Sequence, residues 1–264
     1  QEGSGLVLDT SLNDTDNDDL SNLIDTDDNG DGITDIDADS DGLIDINSLE
    51  LLNAMRYQLD GTGLRITSDS ELNQTGCPAI LYQGKFAPRC IGYEITTDLD
   101  FDINQDGRMD SSDTYWDSGK GWQPVGGYSF QFSTVFEGNG HTIRNLYINR
   151  TNTASWGYYA GLFGYTKYAT LQNVVLTGPL MSVAGNENVG GLVGLADSSQ
   201  INNVMNTGPV QGNNNVGGLV GKADSGLISN AINTGAVQGR YFVGGLVGYP
   251  IRGSINNAIS TGYT

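Results

Sequence analysis

The sequence "VGGLVG" occurs at Val189–Gly194, and it recurs unchanged at Val216–Gly221 and Val243–Gly248. The three copies therefore begin 27 residues apart, and each is followed by an Ile-x-Asn motif and then by Thr-Gly. A fixed period of about 20–50 residues, with short β-prone runs and glycine at the corners, is typical of solenoids. We therefore expect a mainly β chain that forms a parallel β-helix, or β-solenoid.

Two divergent copies precede these repeats. Leu171 and Asn173 follow "AGLFG", and Ile143 and Asn145 follow "FEGNGHT". Together the copies predict about five turns with a repeat of about 27 residues. One asparagine per turn is expected to form a ladder inside the solenoid, where its amide satisfies backbone groups at the corner. These asparagines are Asn145, Asn173, Asn203, Asn230 and Asn257.

Acidic residues are concentrated at the beginning of the chain. The formal net charge is −19, and the first basic residue is Arg56. Nucleic acid is excluded as a partner, because phosphate binding needs a basic patch and none can be assembled here. No apolar run approaches the roughly 18 residues of a membrane span, so we expect no transmembrane segment.

Carboxylates at alternate positions, followed by a glycine and a backbone carbonyl, form the pattern with which short loops bind Ca²⁺. Two copies fit this pattern within residues 27–45, a looser copy precedes them, and the most complete copy is "DINQDGRMDSSD" at residues 102–113. We therefore expect calcium as the cofactor. The expected ligands are Asp14, Asp16, Asp18, Asn22, Asp25, Asp27, Asn29, Asp31, Ile33, Asp35, Asp37, Asp39, Asp41, Leu43, Asp45, Asp102, Asn104, Asp106, Arg108, Asp110 and Asp113.

A disordered acidic tail is the alternative for the first 47 residues, since Asp-rich chains with few aromatic residues usually stay solvated. Ile33, Ile36 and Leu43 recur beside the carboxylates at matching places, which favours folded loops. Without the ion, repulsion among the aspartates is expected to unfold the segment, so that metal binding and folding are coupled.

The chain divides into three predicted regions: Asp-rich calcium-binding repeats at 1–47, a helix and loop-rich region at 48–124, and the solenoid at 125–264. The second region begins with "NSLELLNAMRYQL", whose apolar residues have helical spacing, with Asn47 as the expected N-cap and Glu50 completing a capping box. Cys77 and Cys90 are the two cysteines. A disulfide between them is preferred over two free thiols, and a zinc site is disfavoured because there is only one histidine.

The "GGLVG" cores with the downstream Ile-x-Asn and Thr-Gly resemble the GLUG repeats of bacterial surface proteins, and the match covers residues 125–264. The Asp-rich loops resemble thrombospondin type 3 repeats, and residues 102–113 resemble the loops of EF-hands and dockerins. Proteins with GLUG repeats include large secreted adhesins and accessory regions of secreted proteases. The resemblance therefore implies an extracellular or cell-surface location.

Aromatic residues beside glycine are candidate contacts for a sugar or another protein. The candidates are Trp156, Tyr158, Tyr159, Tyr241 and Phe242. Parallel β-helices also include calcium-dependent polysaccharide lyases, but the acids of the repeats are few. Asp197 and Asp224 are expected to stack as a like-charge pair in ordinary turns, and His141 is expected to cap or pack.

The sequence thus predicts a non-enzymatic calcium-binding module of a bacterial adhesin. Its solenoid would serve as a spacer or as a binding face for a glycan or protein of a host or neighbouring cell. Two alternatives stay open: a subunit of a self-assembling extracellular filament, whose partners are further copies of itself, and a calcium-dependent lyase. The last repeat stops within a turn, which predicts either a piece of a longer protein or an open end that meets another copy.

Overall fold

The computed structural model describes residues 36–65, 74–151 and 158–262, and these residues form a mainly β protein with one short α-helix. The helix, α1, spans Leu49–Ala54, and 3-10 helices span Met55–Tyr57 and Asp117–Gly119. The strands are β1 Leu43–Ile46, β2 Ala79–Tyr82, β3 Lys85–Pro88, β4 Gly92–Ile95, β5 Leu99–Asp100, β6 Val135–Glu137, β7 Thr142–Arg144, β8 Tyr147–Asn149, β9 Phe163–Lys167, β10 Thr170–Thr177, β11 Ser182–Ala184, β12 Glu187–Gly190, β13 Val193–Asp197, β14 Gln200–Asn206, β15 Val210–Gln211, β16 Asn214–Gly217, β17 Val220–Asn233, β18 Val237–Gln238, β19 Tyr241–Gly244 and β20 Val247–Ser260.

Equivalent residues of successive repeats lie side by side in parallel strands. Ile201 of β14 pairs with Ile228 of β17, which pairs with Ile255 of β20. A second column, on β12, β16 and β19, is Val189, Val216 and Val243. The 27-residue sequence period is therefore a period of parallel strand pairing.

The parallel strands form three sheets. The largest runs in the order β1, β4, β6, β10, β14, β17, with β20 continuing beyond β17. A second sheet has the order β18, β15, β11, β8, and a third has the order β12, β16, β19. The largest sheet curls. Strand β14 pairs with residues 227–233 of β17, whereas β13 pairs with residues 220–224 of the same strand, and β9 pairs with β13. Strands β2 and β3 form a separate antiparallel hairpin.

The glycines of the repeat motif permit close approach of two backbones. A Cβ at Gly190 would lie 2.3 Å from the carbonyl oxygen of Val193, and one at Gly217 would lie 2.1 Å from that of Val220. Real Cβ atoms do not approach so closely, so no larger residue fits there without a backbone shift. Valine side chains beside these glycines, including Val193 and Val220, are fully buried.

Aromatic rings fill the core where the repeats meet the preceding region. The ring centroids of Phe132 and Phe163 are 4.7 Å apart, and those of Phe136 and Phe163 are 5.1 Å apart. All three rings are fully buried. Such rings bury large apolar areas, so they join the first strands of the stack firmly to the later ones.

The predicted internal position of the five asparagines is wrong for the three that are exposed. All five residues adopt a left-handed backbone conformation, with φ between 48° and 58°, which interrupts the alternation of the strand. Three of the side chains are exposed, although Nδ2 of Asn203 donates to Oδ1 of Asn173 at 2.7 Å and Nδ2 of Asn257 donates to Oδ1 of Asn230 at 2.5 Å. Asn145 is buried, and its Oδ1 accepts the backbone N–H of Leu180 at 3.0 Å. The exposed residues are Asn203, Asn230 and Asn257.

A buried asparagine ladder forms instead at the "NTG" turns. Asn206 and Asn233 are fully buried, and Nδ2 of Asn206 donates to Oδ1 of Asn233 at 2.9 Å. The same Nδ2 donates to the carbonyl oxygen of Gly208 at 2.9 Å, and Asn233 repeats this bond to Gly235 one turn later. These amides satisfy the corner backbone groups that the exposed asparagines were expected to satisfy.

Helix α1 begins one residue later than predicted. Its N-cap is Ser48, whose Oγ accepts a hydrogen bond from the backbone N–H of Leu51 at 3.2 Å, so the prediction of Asn47 is wrong. Leu52 and Met55 are buried as the apolar spacing predicts. In the part of the chain that the structure describes, no helix has the length and apolar character needed to cross a membrane.

Replacement of the buried ladder amide tests this packing. We expect Asn206→Ala to lower the free energy of unfolding by about 1–3 kcal/mol, because the partners of a buried amide lose their hydrogen bonds. Asn203→Gly is the control, since Asn203 is exposed and glycine accepts its φ of 52°. Urea denaturation measures both variants, and equal losses of stability would contradict the assignment of the ladder.

Candidate metal centre

The first candidate loop, Asp37–Asp45, is organised around one buried carboxylate. Oδ1 of Asp37 accepts the backbone N–H of Asp41 at 3.2 Å, and Oδ2 accepts that of Gly42 at 2.9 Å. Asp39 Oδ1 also accepts the N–H of Asp41 at 3.2 Å, while Asp41 Oδ1 accepts the N–H of Leu43 at 2.7 Å. The loop backbone therefore wraps around its own aspartates.

The second candidate loop, Asp102–Asp113, has the same hydrogen bonds at the same offsets. Asp102 accepts the N–H of Asp106 at 3.2 Å and that of Gly107 at 3.0 Å. Asn104 Oδ1 accepts the N–H of Asp106 at 3.1 Å, and Asp106 Oδ1 accepts the N–H of Arg108 at 2.9 Å. The two loops thus fold alike over their first seven residues.

The backbone conformations agree as well. The fourth residue of each loop is left-handed, with φ of 57° at Ser40 and 56° at Gln105. The sixth residue is also left-handed, with φ of 97° at Gly42 and 77° at Gly107. Glycine accepts this conformation without steric cost, which explains why both loops carry it at the sharp turn.

The loops differ in how they close. In the first, the N–H of Ala38 donates to Oδ2 of Asp45 at 3.0 Å, so the ninth residue closes the loop. In the second, the N–H of Ile103 donates to Oδ1 of Asp113 at 3.0 Å, so the twelfth residue does so. Asp110 is half-buried, and its Oδ1 accepts the N–H of Ser112 at 2.9 Å.

The electrostatics of the first loop suit a hard cation. One carboxylate oxygen from each of Asp37, Asp39 and Asp41 lies within 4.8 Å of the others. Burial raises the pKa of Asp37 to about 7, the N–H of Gly42 opposes that rise, and the other loop aspartates add to it. A divalent cation among these oxygens would replace the repulsion by attraction, and the donor set contains only oxygen, which calcium prefers.

Cys77 and Cys90 form a disulfide with a Cα–Cα distance of 4.9 Å, as preferred from the sequence. The bridge joins the chain on either side of the β2–β3 hairpin. Sγ of Cys90 lies 3.6 Å from Oδ2 of Asp37, so the bridge packs directly against the first loop. Because both sulfurs are bonded to each other, neither supplies a thiolate ligand to a metal here.

Both loops lie where the parallel stack begins. The first loop runs into β1, the edge strand of the largest sheet, and Ile44 of β1 pairs with Tyr93 of β4. The second loop follows β5, whose Leu99 pairs with Ile143 of β7. Each loop is therefore adjacent in the chain to a strand that lies where the stack begins.

Beside the first loop, three acids of neighbouring strands are aligned. Asp45 pairs with Glu94, and Glu94 pairs with Glu137. The two glutamates are buried, and burial raises the pKa of Glu94. Asn139 donates to Glu94 Oε2 at 2.5 Å, and Gln172 donates to Glu137 Oε2 at 2.7 Å. Sequence analysis missed this row, since only the strand register brings these acids together.

Some of the predicted calcium ligands, and the predicted ligand contact Trp156, lie outside the residues that the structure describes. The calcium ligands concerned all precede residue 36. They are Asp14, Asp16, Asp18, Asn22, Asp25, Asp27, Asn29, Asp31, Ile33 and Asp35.

The predicted aromatic contacts fall in two separate places. Tyr158 and Tyr159 line a groove of about 1180 Å³ that also contains residues 56–60 and 123–133. Tyr241 and Phe242 lie on β19, in the last repeat. The ring centroids of Phe242 and Tyr249 are 4.8 Å apart. The structure does not combine the two pairs in one site.

Two acids of the stacked repeats, Asp197 and Asp224, have charged partners. Asp197 pairs with Asp224 in register, as the 27-residue spacing predicts. Lys167 Nζ lies 3.6 Å from Asp197, and Arg252 Nη2 lies 2.9 Å from Asp224, so a cation flanks each acid. His141 lies in a turn, with its Nδ1 atom 3.4 Å from a carboxylate oxygen of Asp98.

Comparison with known proteins gives partial similarities. No family model matches the chain. It is 32% identical over 134 residues to Halomucin of Haloquadratum walsbyi, which covers 41% of this chain and 1% of that protein. It is 38% identical over 68 residues to a protein assigned as a Gly-rich membrane protein of Evansella cellulosilytica, covering 25% of this chain and 7% of the other. This chain thus corresponds to a small part of either relative.

Among solved structures, the chain is similar to a protein of Bacteroides ovatus assigned as an immunoglobulin A1 protease. The TM-score is 0.46 and the sequence identity is 16%. The similarity covers 83% of this chain and 66% of that protein.

The buried carboxylate predicts a pH dependence in calcium-free solution. Asp37 has a folded pKa of about 7, whereas an unfolded aspartate has a pKa of about 3.9. Between these values the folded chain holds a proton that the unfolded chain has lost, so stability falls as pH rises. We expect Asp37 alone to lower the free energy of unfolding in EDTA by about 2–4 kcal/mol between pH 4.5 and pH 8, as measured by urea denaturation of the parent chain and of an Asp37 variant.

The control for this measurement is Asp37→Asn, which removes one titrating group and is expected to reduce the dependence. Burial also raises the pKa values of Asp41, Asp45 and Glu94, so part of the dependence is expected to remain. Asp98 and Asp110 have lowered pKa values, so their contributions change below this pH window. A free energy of unfolding that rises from pH 4.5 to pH 8 in EDTA would contradict the account.

Proposed function

We propose that this chain is an extracellular, calcium-binding and non-enzymatic module of a bacterial surface protein of the adhesin type. In this proposal the stacked parallel strands form a β-solenoid of about five turns that serves as a spacer or a binding face. The carrying observation is the repetition of one hydrogen-bond pattern in two loops of different sequence, Asp37–Asp45 and Asp102–Asp113.

The repeated pattern supports calcium because the side-chain atoms that it brings together in each loop are oxygen atoms. Asp37 and Asp102 each accept two backbone N–H groups, and their neighbours at the third and fifth positions present further oxygens. Calcium takes six to eight oxygen ligands, which include carboxylates, side-chain amides and backbone carbonyls. The proposed carbonyl ligands are those of Leu43 and Arg108, one residue after the loop glycine.

The position of the loops supports a structural role for the ion. Strand β1 follows the first loop directly and is an edge of the largest sheet. Calcium that orders the loop would order β1 and so cover the edge of β4, which would otherwise expose unpaired backbone groups. The further Asp-rich repeats between residues 14 and 35 extend the same proposal toward the N-terminus.

The disulfide supports an extracellular location, since such bonds persist in oxidising compartments. Calcium concentrations outside cells also suit loops of moderate affinity. The ion pairs of Asp197 and Asp224 support a non-enzymatic role for this stacked pair, because each of the two acids is engaged with a cation.

Calcium titration tests the proposal at each loop. We expect Asp37→Asn and Asp102→Asn each to weaken one calcium site by more than about tenfold, since changes even outside the ligand shell of a metal cost about that much. Glu187→Gln is the matched control, because it removes one carboxylate charge from β12 of the stacked repeats, and Glu187 belongs to neither loop. Isothermal titration calorimetry of the full chain measures the number and affinity of the sites.

The parent chain and the control are expected to bind the same number of ions, and each loop variant is expected to bind one fewer. The proposal fails if the parent shows no calcium uptake, or if all three variants bind calcium as the parent does.

A further inference from the structure

A groove lined by aromatic residues lies outside the calcium loops. Its walls are residues 56–60, the turn at residues 126–131 and the pair Tyr158–Tyr159, and its volume is about 1180 Å³. We call it the aromatic groove. Only Tyr158 and Tyr159 were candidate contacts from the sequence, because the other lining residues come from distant segments.

The aromatic groove displays rings that the fold does not cover. Tyr128 and Phe130 are 76% and 75% exposed, and Tyr158 and Tyr57 are 41% and 36% exposed. Aromatic rings are usually placed in cores, so several uncovered rings around one depression are a feature of binding surfaces. A ligand that covers these rings must therefore have apolar faces.

The turn that carries two of these rings is held in one conformation. The N–H of Gly127 donates to the carbonyl oxygen of Phe130 at 2.8 Å, and the N–H of Phe130 donates back to Gly127 at 3.2 Å. Nε2 of Gln131 donates to the carbonyl oxygen of Tyr128. The turn is anchored by Phe132, which is fully buried. The rings are therefore preorganised, which reduces the entropy lost on binding.

Hydrogen bonds between distant segments fix the shape of the groove. Nη2 of Arg56 donates to the carbonyl oxygen of Gln123 at 3.0 Å, and its guanidinium group lies 5.2 Å from the ring centroid of Trp122. The N–H of Ser133 donates to the carbonyl oxygen of Leu59 at 3.0 Å. The opposite walls are thereby joined, so the groove exists before any ligand arrives.

The charges of the groove favour a neutral ligand. Its charged lining residues are Arg56 and Asp60, whose charges cancel. Arg56 already donates to the side chain of Asn53 at 2.9 Å and to the backbone of Gln123, so its guanidinium group is occupied. Asp60 and Gln58 form a hydrogen-bonded pair at 2.6 Å that presents planar polar groups beside the rings.

We propose that the aromatic groove binds a neutral saccharide. The C–H faces of sugar rings stack on Tyr128 and Phe130, and sugar hydroxyls donate hydrogen bonds to the side-chain oxygens of Gln58, Asp60 and Gln131. The amide N–H groups of the two glutamines are engaged within the protein. An acidic polysaccharide is disfavoured because Arg56, the cation among the described residues that line the groove, is already engaged. This inference gives a ligand class to the binding face of the proposed function, and it rests on residues outside both calcium loops.

The test uses the full chain with four neutral probes, namely cellohexaose, xylohexaose, mannohexaose and chitohexaose, and with polygalacturonate as an acidic probe. Calorimetry is performed in calcium. At least one neutral probe is expected to bind, and to bind more tightly than the acidic probe. Tyr128→Ala, Phe130→Ala and, on the opposite wall, Tyr57→Ala are each expected to weaken that binding by about tenfold.

Phe86→Ala is the matched control, since Phe86 is 74% exposed on the β2–β3 hairpin, outside the groove. It is expected to leave sugar binding unchanged. Calcium titration of the same samples separates the two proposals: groove variants should keep the calcium sites, and loss of sugar binding alone bears on the groove alone. The inference is overturned if no neutral probe binds, if polygalacturonate or an unglycosylated peptide library binds better, or if Phe86→Ala weakens binding as much as Phe130→Ala.

Discussion

Parallel hydrogen bonding between equivalent residues of successive repeats is the interaction on which the rest of the structure depends. A strand in such a stack needs a neighbour on each side, because an uncovered edge exposes backbone N–H and C=O groups. Inside the stack the next repeat supplies that neighbour, as Ile228 does for Ile201. At the beginning of the stack β1 supplies it, and β1 follows a loop of aspartates.

This arrangement places several carboxylates beside the strand that begins the stack. A loop that turns around Asp37 and leads into an edge strand brings several carboxylates together, and burial raises the pKa of that residue. The aligned Glu94 and Glu137 add two more acids beside it. Repulsion among these carboxylates opposes folding. The proposed calcium ion would offset that repulsion, so that ion binding and formation of the first strands would be coupled.

The sequence predicted the features that recur at a fixed spacing along the chain. The repeats could be recognised because Ile201 and Ile228 occupy equivalent positions, and the loop geometry because aspartates and glycine recur at fixed offsets. The outward position of Asn203 depends on a left-handed φ that composition does not reveal. The pairing of Asp45 with Glu94, and the aromatic groove, depend on contacts between distant, non-repeated segments.

The central claim is that calcium orders the strands that begin the stack. Hydrogen–deuterium exchange of the full chain, in calcium and in EDTA, measures this most directly. The account predicts that calcium slows exchange at the amides of β1 and β5 by more than about tenfold, because local opening of these strands becomes less favourable. Exchange in β14 and β17, inside the stack, is expected to change little. Exchange rates of the β1 and β5 amides that are the same in calcium as in EDTA would contradict the proposed role of calcium.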